Sequence, residues 1–404
     1  MKRPLFVIFI TIALDAIGIG LIFPILPRLL EDVTHARNIA PYIGIMIALY
    51  AGMQFLFAPM LGALSDRLGR RPVLLISLTG ATINYVVMAF APQLWMLLLG
   101  RAIAGLTSAN VSVAMAYITD ISPENTRARR FGLFNAMFGI GFIIGPVLGG
   151  LLGDYWVRLP FIATAVLNAC NLMLALFILP ESHTPTQEKK VDLAALNPLR
   201  PLVWVFSMKG VLPIVLVFFI FSGAGEAYGT CWALWGFDTF HWNGLWIGLS
   251  LGTFGVFQTV VQALLPGPAT KLLGDRWAVL VGVACSSIAL VALAFATKGW
   301  IVFAIMPIFA LTGIGTPALQ ALSTRQVDSA RQGQFQGVLA SAVSLASIVA
   351  PLAFSTFYFV VQKQWPGAIW LSVVLIYAIA VPLVFLGTRT VRLEQPASAL
   401  CKRR

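Results

Sequence analysis

The sequence predicts an all-α integral membrane protein of twelve transmembrane helices, built as two pseudo-symmetric six-helix bundles. Three observations carry that prediction. Of 404 residues, 59% are hydrophobic and 10% charged, against roughly 25% charge in a soluble chain. Apolar segments long enough to cross a bilayer recur along the whole chain. The halves also repeat at an offset of 205: Gly62, Gly69, Arg71, Gly132 and Pro146 recur as Gly267, Gly274, Arg276, Gly337 and Pro351. An even number of spans per half makes the repeats parallel, which is a transporter design.

Span one, 5–29, follows Met1-Lys2-Arg3-Pro4 and runs past signal-peptide length, so it reads as a retained helix. It contains Asp15. A carboxylate in hydrocarbon costs ~2.5–3.5 kcal/mol even on a lenient scale, and intramembrane acids default to function. Spans two and three, 41–63 and 73–92, flank the loop Gly62-Ala-Leu-Ser65-Asp66-Arg67-Leu-Gly69-Arg70-Arg71-Pro72. Gly69 suits a tight turn. Pro72 suits a first helical turn. Asp66 is placed to cap a helix or to pair with Arg70.

Span four, 95–119, carries Arg101-x3-Gly105-x3-Ala109, whose small residues give a flat packing face. Arg101 stands open between snorkelling to the near interface and work inside a cavity. Span five, 131–153, ends in Gly141-x3-Gly145-Pro146-x2-Gly149-Gly150. Its glycines permit close helix contact, and Pro146 frees a carbonyl. Before it stand Asp120, Arg127, Arg129 and Arg130, candidates for gating ion pairs with Asp66. Span six covers 159–179. The polar stretch Glu181 to Lys209 reads as a linker. The expected domains are therefore 1–182, a linker over 183–209, and 210–404.

Span seven, 211–236, holds a second intramembrane acid, Glu226, with Tyr228, Trp232 and Trp235 close by in sequence. Span eight, 245–270, carries Gln258 and Gln262 one turn apart, hence on one face. Spans nine to twelve follow at 276–297, 300–322, 333–361 and 366–388.

With both termini inside, 21 of the 27 basic residues fall in the termini and inner loops. Five (Arg28, Arg37, Arg158, Lys298 and Lys363) fall in outer loops. That bias places both termini in the cytoplasm. It also accounts for the net charge of +12 without nucleic acid. The four cysteines form no CxxC pattern, which excludes a disulfide framework or thiolate metal site. The three histidines are far apart and in or beside loops, so no catalytic constellation forms and an enzyme is not expected. No GxxxxGK[ST] phosphate loop signals an ATP motor.

The loop from Gly62 to Pro72 resembles the signature loop of the major facilitator superfamily, and the Gly145-Pro146-x2-Gly149-Gly150 run resembles the antiporter motif of its drug-efflux branches. The whole chain resembles the tetracycline-resistance efflux proteins of that superfamily. This resemblance runs from Ala13-Leu-Asp15-Ala-Ile-Gly18-Ile-Gly20, through Phe240-His241-Trp242 and Gly313-Ile-Gly315-x-Pro317-Ala-Leu-Gln320, to Arg325-Gln-Val-Asp328-x2-Arg331-Gln-Gly333-Gln. It implies export of a drug in exchange for protons, with no bound cofactor and with tetracycline carried as its divalent-metal chelate. It also implies a functional Arg at position 101. Three positions depart from the branch: Asn84 and Ser286 stand where it has acids, and Gln258 stands where it commonly has a His.

A carboxylate that alternates between a wet and a closed cavity loads and releases protons. Glu226 is expected to couple protons, and Asp15 to serve proton coupling, substrate binding or the structure of span one. The expected substrate contacts are Arg101, Gln258, Gln262, Asn84, Asn110, Tyr228, Trp232 and Gln320, lining an amphipathic pocket. The expected gating set is Asp66, Arg70, Arg71, Asp120, Arg127, Gly145 and Pro146. The partners are a small-molecule substrate and the lipid bilayer, in a chain that works as a monomer in the inner membrane. A different cargo (another drug, a metabolite or a siderophore) keeps the same fold, and a passive channel would differ by ignoring a proton gradient.

Overall fold

The computed structural model describes residues 3–36, 38–182, 212–324 and 332–389. The expected linker 183–209, Arg37, and the motif stretch Arg325 to Arg331 lie outside them. Among the described residues all regular structure is helical, and twelve helices are long and apolar enough to cross a membrane.

The first half contains α1 (Arg3–Ile22), α2 (Leu26–Thr34), α3 (Ala40–Leu68), α4 (Arg70–Phe90), α5 (Leu94–Leu106), α6 (Asn110–Asp120), α7 (Glu124–Tyr155) and α8 (Leu159–Ile178). The second half contains α9 (Leu212–Phe240), α10 (Gly244–Leu264), α11 (Pro266–Leu273), α12 (Asp275–Ala294), α13 (Gly299–Ala310), a 3-10 turn at Leu311–Ile314, α14 (Gly315–Thr324), α15 (Gln332–Val361) and α16 (Ala368–Arg389).

Four expected spans, the first, fourth, eighth and tenth, are interrupted, two of them at prolines. The first helix stops at Ile22. Pro24 has no N–H to continue it, and Pro27 starts α2 one turn later. The eighth stops at Leu264, where Pro266 and Pro268 begin α11. The fourth breaks at Thr107 to Ala109. There the Thr107 hydroxyl donates to the Ile103 carbonyl at 2.9 Å, alongside the backbone N–H of the same residue at 3.0 Å.

The 205 offset is visible in the backbone. Gly69 between α3 and α4 has φ +104°, and Gly274 between α11 and α12 has φ +77°. Both are conformations in which only glycine avoids a Cβ penalty. The break at Thr107 is matched by the 3-10 turn containing Thr312, whose hydroxyl donates to Phe309 at 2.7 Å.

The chain divides into two compact units. The first comprises Met1–Pro198, Tyr228–Val256 and Ser347–Pro366; the second comprises Leu199–Ala227, Phe257–Ala346 and Gly367–Arg404. The first therefore joins segments from both halves. Its core includes Ile8, Ile12, Leu78, Val113, Tyr117 and Phe134. The core of the second includes Val217, Val279, Ala310, Phe335, Val338 and Val384.

Within the first unit α7 is clasped on two sides. A side-chain carbon at Gly141, Gly145 or Gly149 would strike the α1 carbonyls of Ala13, Ile17 or Leu21. Its other face meets α10, where Gly150 lies against the Gly244 carbonyl and the Pro146 carbonyl lies against Gly248.

Candidate functional site

The break in span four builds a polar cluster inside the first unit. Asn110 opens α6 just past the break, and its amide N–H donates to Asp15 Oδ1 at 3.0 Å. Ser108, within the break, holds Tyr50 Oη at 2.8 Å and accepts from Gln54 Nε2 at 2.9 Å. Asp15 and Arg101 lie within electrostatic reach of Tyr85. The Nε and Nη2 atoms of Arg101 are buried and have no hydrogen-bond partner. Arg101 therefore points inward and does not snorkel. Asn84 is buried with its Oδ1 unpartnered, facing Gly100 on α5. An acid, a guanidinium and orphaned amide oxygens thus gather where a helix has come apart, which is where membrane proteins expose backbone and polar groups to a cavity.

The second unit holds a counterpart at its own break. Gly313, in the 3-10 turn, faces both Gln258 and Gln262: a Cβ there would lie 2.9 Å from Gln258 Nε2 and 3.1 Å from Gln262 Cγ. The two glutamines therefore share a face, and Gln258 Oε1 is buried without a partner. Ser286 on α12 is fully buried with an unpartnered Oγ. It stands one turn beyond Gly282, which packs on Thr312 and Gly315 of the same break. Glu226 belongs to this unit and Tyr228 to the first.

Two expected substrate contacts are placed differently. Trp232 is 3% exposed; its indole N–H donates to Ser250 at 2.9 Å and its ring packs on Trp235. It is a core residue that ties α9 to α10. Gln320 is exposed midway along α14 and donates to Gln336 at 3.1 Å.

The signature loop centres on Arg70. Its guanidinium pairs with Asp66 at 2.5 Å and Asp120 at 3.1 Å and donates to Ser65 at 2.6 Å. Arg71 donates to the Leu176 carbonyl at the end of α8, at 2.6 Å. The carboxylate of Glu181 caps α4, accepting from the backbone N–H groups of Arg70 and Arg71 at 2.8 and 3.1 Å. The expected Arg127–Asp66 pair does not form: Arg127 Nε is buried without a partner. Arg130, one turn along α7, instead donates to the Ile121 carbonyl and Ser122.

At the end that the basic-residue bias assigns to the outside, Asp154 fastens α7 to α10. Its two oxygens accept from the N–H groups of Gly244 and Leu245 at 2.9 and 3.0 Å, and Arg28 pairs with it. Tyr358 on α15 donates to Asp238 on α9 at 2.7 Å. Sequence reasoning missed Tyr50, Gln54, Ser108, Glu181 and Asp154. The polar run Thr107-Ser108-x-Asn110 inside an apolar span was the available signal for the break. Glu181 and Asp154 act through caps on distant helices, which no local pattern encodes.

A sequence profile of the Major Facilitator Superfamily matches residues 8–245 and 229–400. The chain is 48% identical over 386 residues to the class C tetracycline resistance protein of Escherichia coli, covering 96% of this chain and 97% of that one. It is 41% identical to the class G protein of Vibrio anguillarum, covering 95% and 98%. Among solved structures, it superimposes on a nucleoside transporter with a TM-score of 0.81 at 12% identity, covering 95% of this chain and 99% of that one. A D-xylose–proton symporter gives 0.74 at 15% identity, covering 95% and 97%. At these identities the two structures establish the fold alone.

Proposed function

This chain belongs to the major facilitator superfamily, and we propose that it exports a tetracycline-class drug by alternating access, in exchange for protons. It is a transporter and not an enzyme. Two full-length relatives named for tetracycline resistance support the cargo. The observation that carries the mechanism is the pairing of Asp15 with Asn110 at a broken membrane helix, with the buried Arg101 nearby. Charged groups held in hydrocarbon at this cost mark a path for ions or polar cargo.

Glu226 is the proton-coupled acid in this reading. The branch places an acid where this chain has Ser286, and a buried serine hydroxyl does not titrate in the working range. Asp15 binds cargo and completes the coupling. The cargo travels as a divalent-metal chelate. The protein sits in the bacterial inner membrane as a monomer with both termini in the cytoplasm. Asp66, Arg70, Arg71 and Asp120 form the inner gate, and Gly145 and Pro146 form the hinge face of α7.

The test is uptake of labelled tetracycline into inverted vesicles under an imposed proton gradient. Wild-type vesicles accumulate the drug. Glu226→Gln loses accumulation against a gradient but keeps energy-independent exchange. A Glu226→Gln protein that still pumps uphill with an unchanged pH profile removes Glu226 from the mechanism. A second reading keeps the fold and changes the cargo to another drug, a metabolite or a siderophore. Asn84 and Ser286 favour it, because both replace acids of the branch. Resistance conferred against a drug panel, with none against tetracycline, would select that reading.

A further inference from the structure

A groove of about 480 Å³ lies between α12 and α16 in the second unit, clear of both polar clusters. Its walls are apolar, with Leu280, Ala284, Val374 and Ala378 among them and Ser287 at its inner end. Along α12 it runs from Trp277 to Ser287, and along α16 from Phe385 back to Val374. At a helical rise of 1.5 Å per residue that is ~15 Å, about half of a ~30 Å hydrocarbon core. The groove is therefore as long as the acyl region of one leaflet. Its rims carry side chains suited to lipid: Ile288, Leu375 and Ile379 are 61%, 67% and 61% exposed.

The mouth of the groove is charged. Arg276 precedes Trp277 at the start of α12, and its guanidinium lies 4.0 Å over the ring of Phe385, a groove residue. Its Nε is buried with no hydrogen-bond partner. Stacking fixes the plane of a guanidinium and leaves its edge to bind a phosphate in two-pronged fashion. Trp277, 57% exposed beside it, is placed as an interfacial anchor. The basic-residue bias assigns this end to the cytoplasmic leaflet, where anionic headgroups concentrate.

We propose that the α12–α16 groove is a binding site for one anionic phospholipid of the inner leaflet, with an acyl chain along Ala284 and Ala378 and the headgroup phosphate on Arg276. Charge complementarity at the mouth and one-leaflet length argue for a phospholipid as occupant.

The test is native mass spectrometry of the purified full chain, given phosphatidylglycerol or phosphatidylcholine in turn. Wild-type protein is expected to retain phosphatidylglycerol about fivefold more than phosphatidylcholine, the preference one basic side chain confers near a membrane surface. Arg276→Gln, which leaves the core untouched, is expected to equalise the two lipids. Ala284→Phe fills the groove and is expected to lose both, with melting in detergent confirming that it folds. An unchanged lipid preference in Arg276→Gln, or unchanged retention in a folded Ala284→Phe, overturns the proposal. A wild-type dimer that Ala284→Phe abolishes would assign the face to a second copy and likewise overturn it.

Discussion

Single residues act here through the partners that the fold brings to them, and Glu31 on α2 gives a direct case. Partial burial and the neighbouring Asp238 carboxylate push its carboxyl above the usual glutamate range, while Arg28 pulls the other way. Tyr358 and His241 face Asp238 in the same group. A raised native pKa means that the folded protein holds this proton more tightly than the unfolded chain. Its stabilising contribution is full below the ordinary glutamate pKa and is lost as pH rises through the native one. Glu31→Gln should therefore raise the melting temperature at neutral pH and flatten its decline from weakly acidic to neutral pH, read by a thermal shift series in detergent. An unchanged profile would show that the carboxyl is not coupled to this end of the protein. Asp15 and Arg101 were legible from sequence because a charge in an apolar run is conspicuous. The partner of Trp232 was not legible, because a Trp beside an acid looks the same whether its N–H faces a ligand or, as here, Ser250.

Helices explain what residue lists cannot, and the two breaks at Thr107 and Thr312 are the main example. Hydropathy registered both spans as continuous because it measures length and apolarity, and an interruption of three residues at Thr107 or four at Thr312 changes neither. Yet the breaks organise the polar clusters: Ser108 fills its break with a hydroxyl, whereas Gly313 leaves room beside Gln258 and Gln262. Gly313→Ala would press a methyl against the Gln258 amide and the Gln262 stem, both flexible side chains, not against backbone. It should raise KM for export about fivefold, as a side-chain displacement near 1 kcal/mol implies, and leave thermal stability nearly unchanged. An unaltered KM would take the glutamine pair out of the binding site. The α7 glycines behave differently, because what they face is main chain. Gly150→Val drives a branched side chain into the Gly244 carbonyl, a clash of ~1–3 kcal/mol. It should splay α7 from α10, and a cysteine placed at Val147 should then react faster with an impermeant maleimide than it does beside Gly150. The sequence signalled this close approach through its glycine spacing, but not which helices lie on either side.

At the scale of the whole molecule, the twelve-helix plan and the duplication were readable because both are long-range patterns of composition. The compact units group the chain segments on a different basis. A cut after residue 182 divides the sequence evenly, but the first compact unit also takes in Tyr228–Val256 and Ser347–Pro366. Those second-half segments are bound to α7 and α3 by contacts whose partners no sequence pattern names: Asp154 on the N-terminus of α10, Gly44 against Ser355, and glycine on carbonyl along α10. Alternating access requires that such contacts come apart once per cycle, so a covalent bond across them must stop the cycle. Val147 and Gly252 are suited to that bond. A Cβ at Gly252 would lie 2.8 Å from Val147 Cγ2, and one sulfur of a disulfide lies about 3 Å from the far Cβ. The double variant Val147→Cys/Gly252→Cys should transport when reduced, lose transport on oxidation, and regain it with a thiol reductant, while each single variant ignores the redox state. If the oxidised, cross-linked protein still accumulates drug in vesicles, then α7 and α10 stay together through the cycle, and the opening must occur along the α3–α15 contact at Gly44 and Ser355 instead.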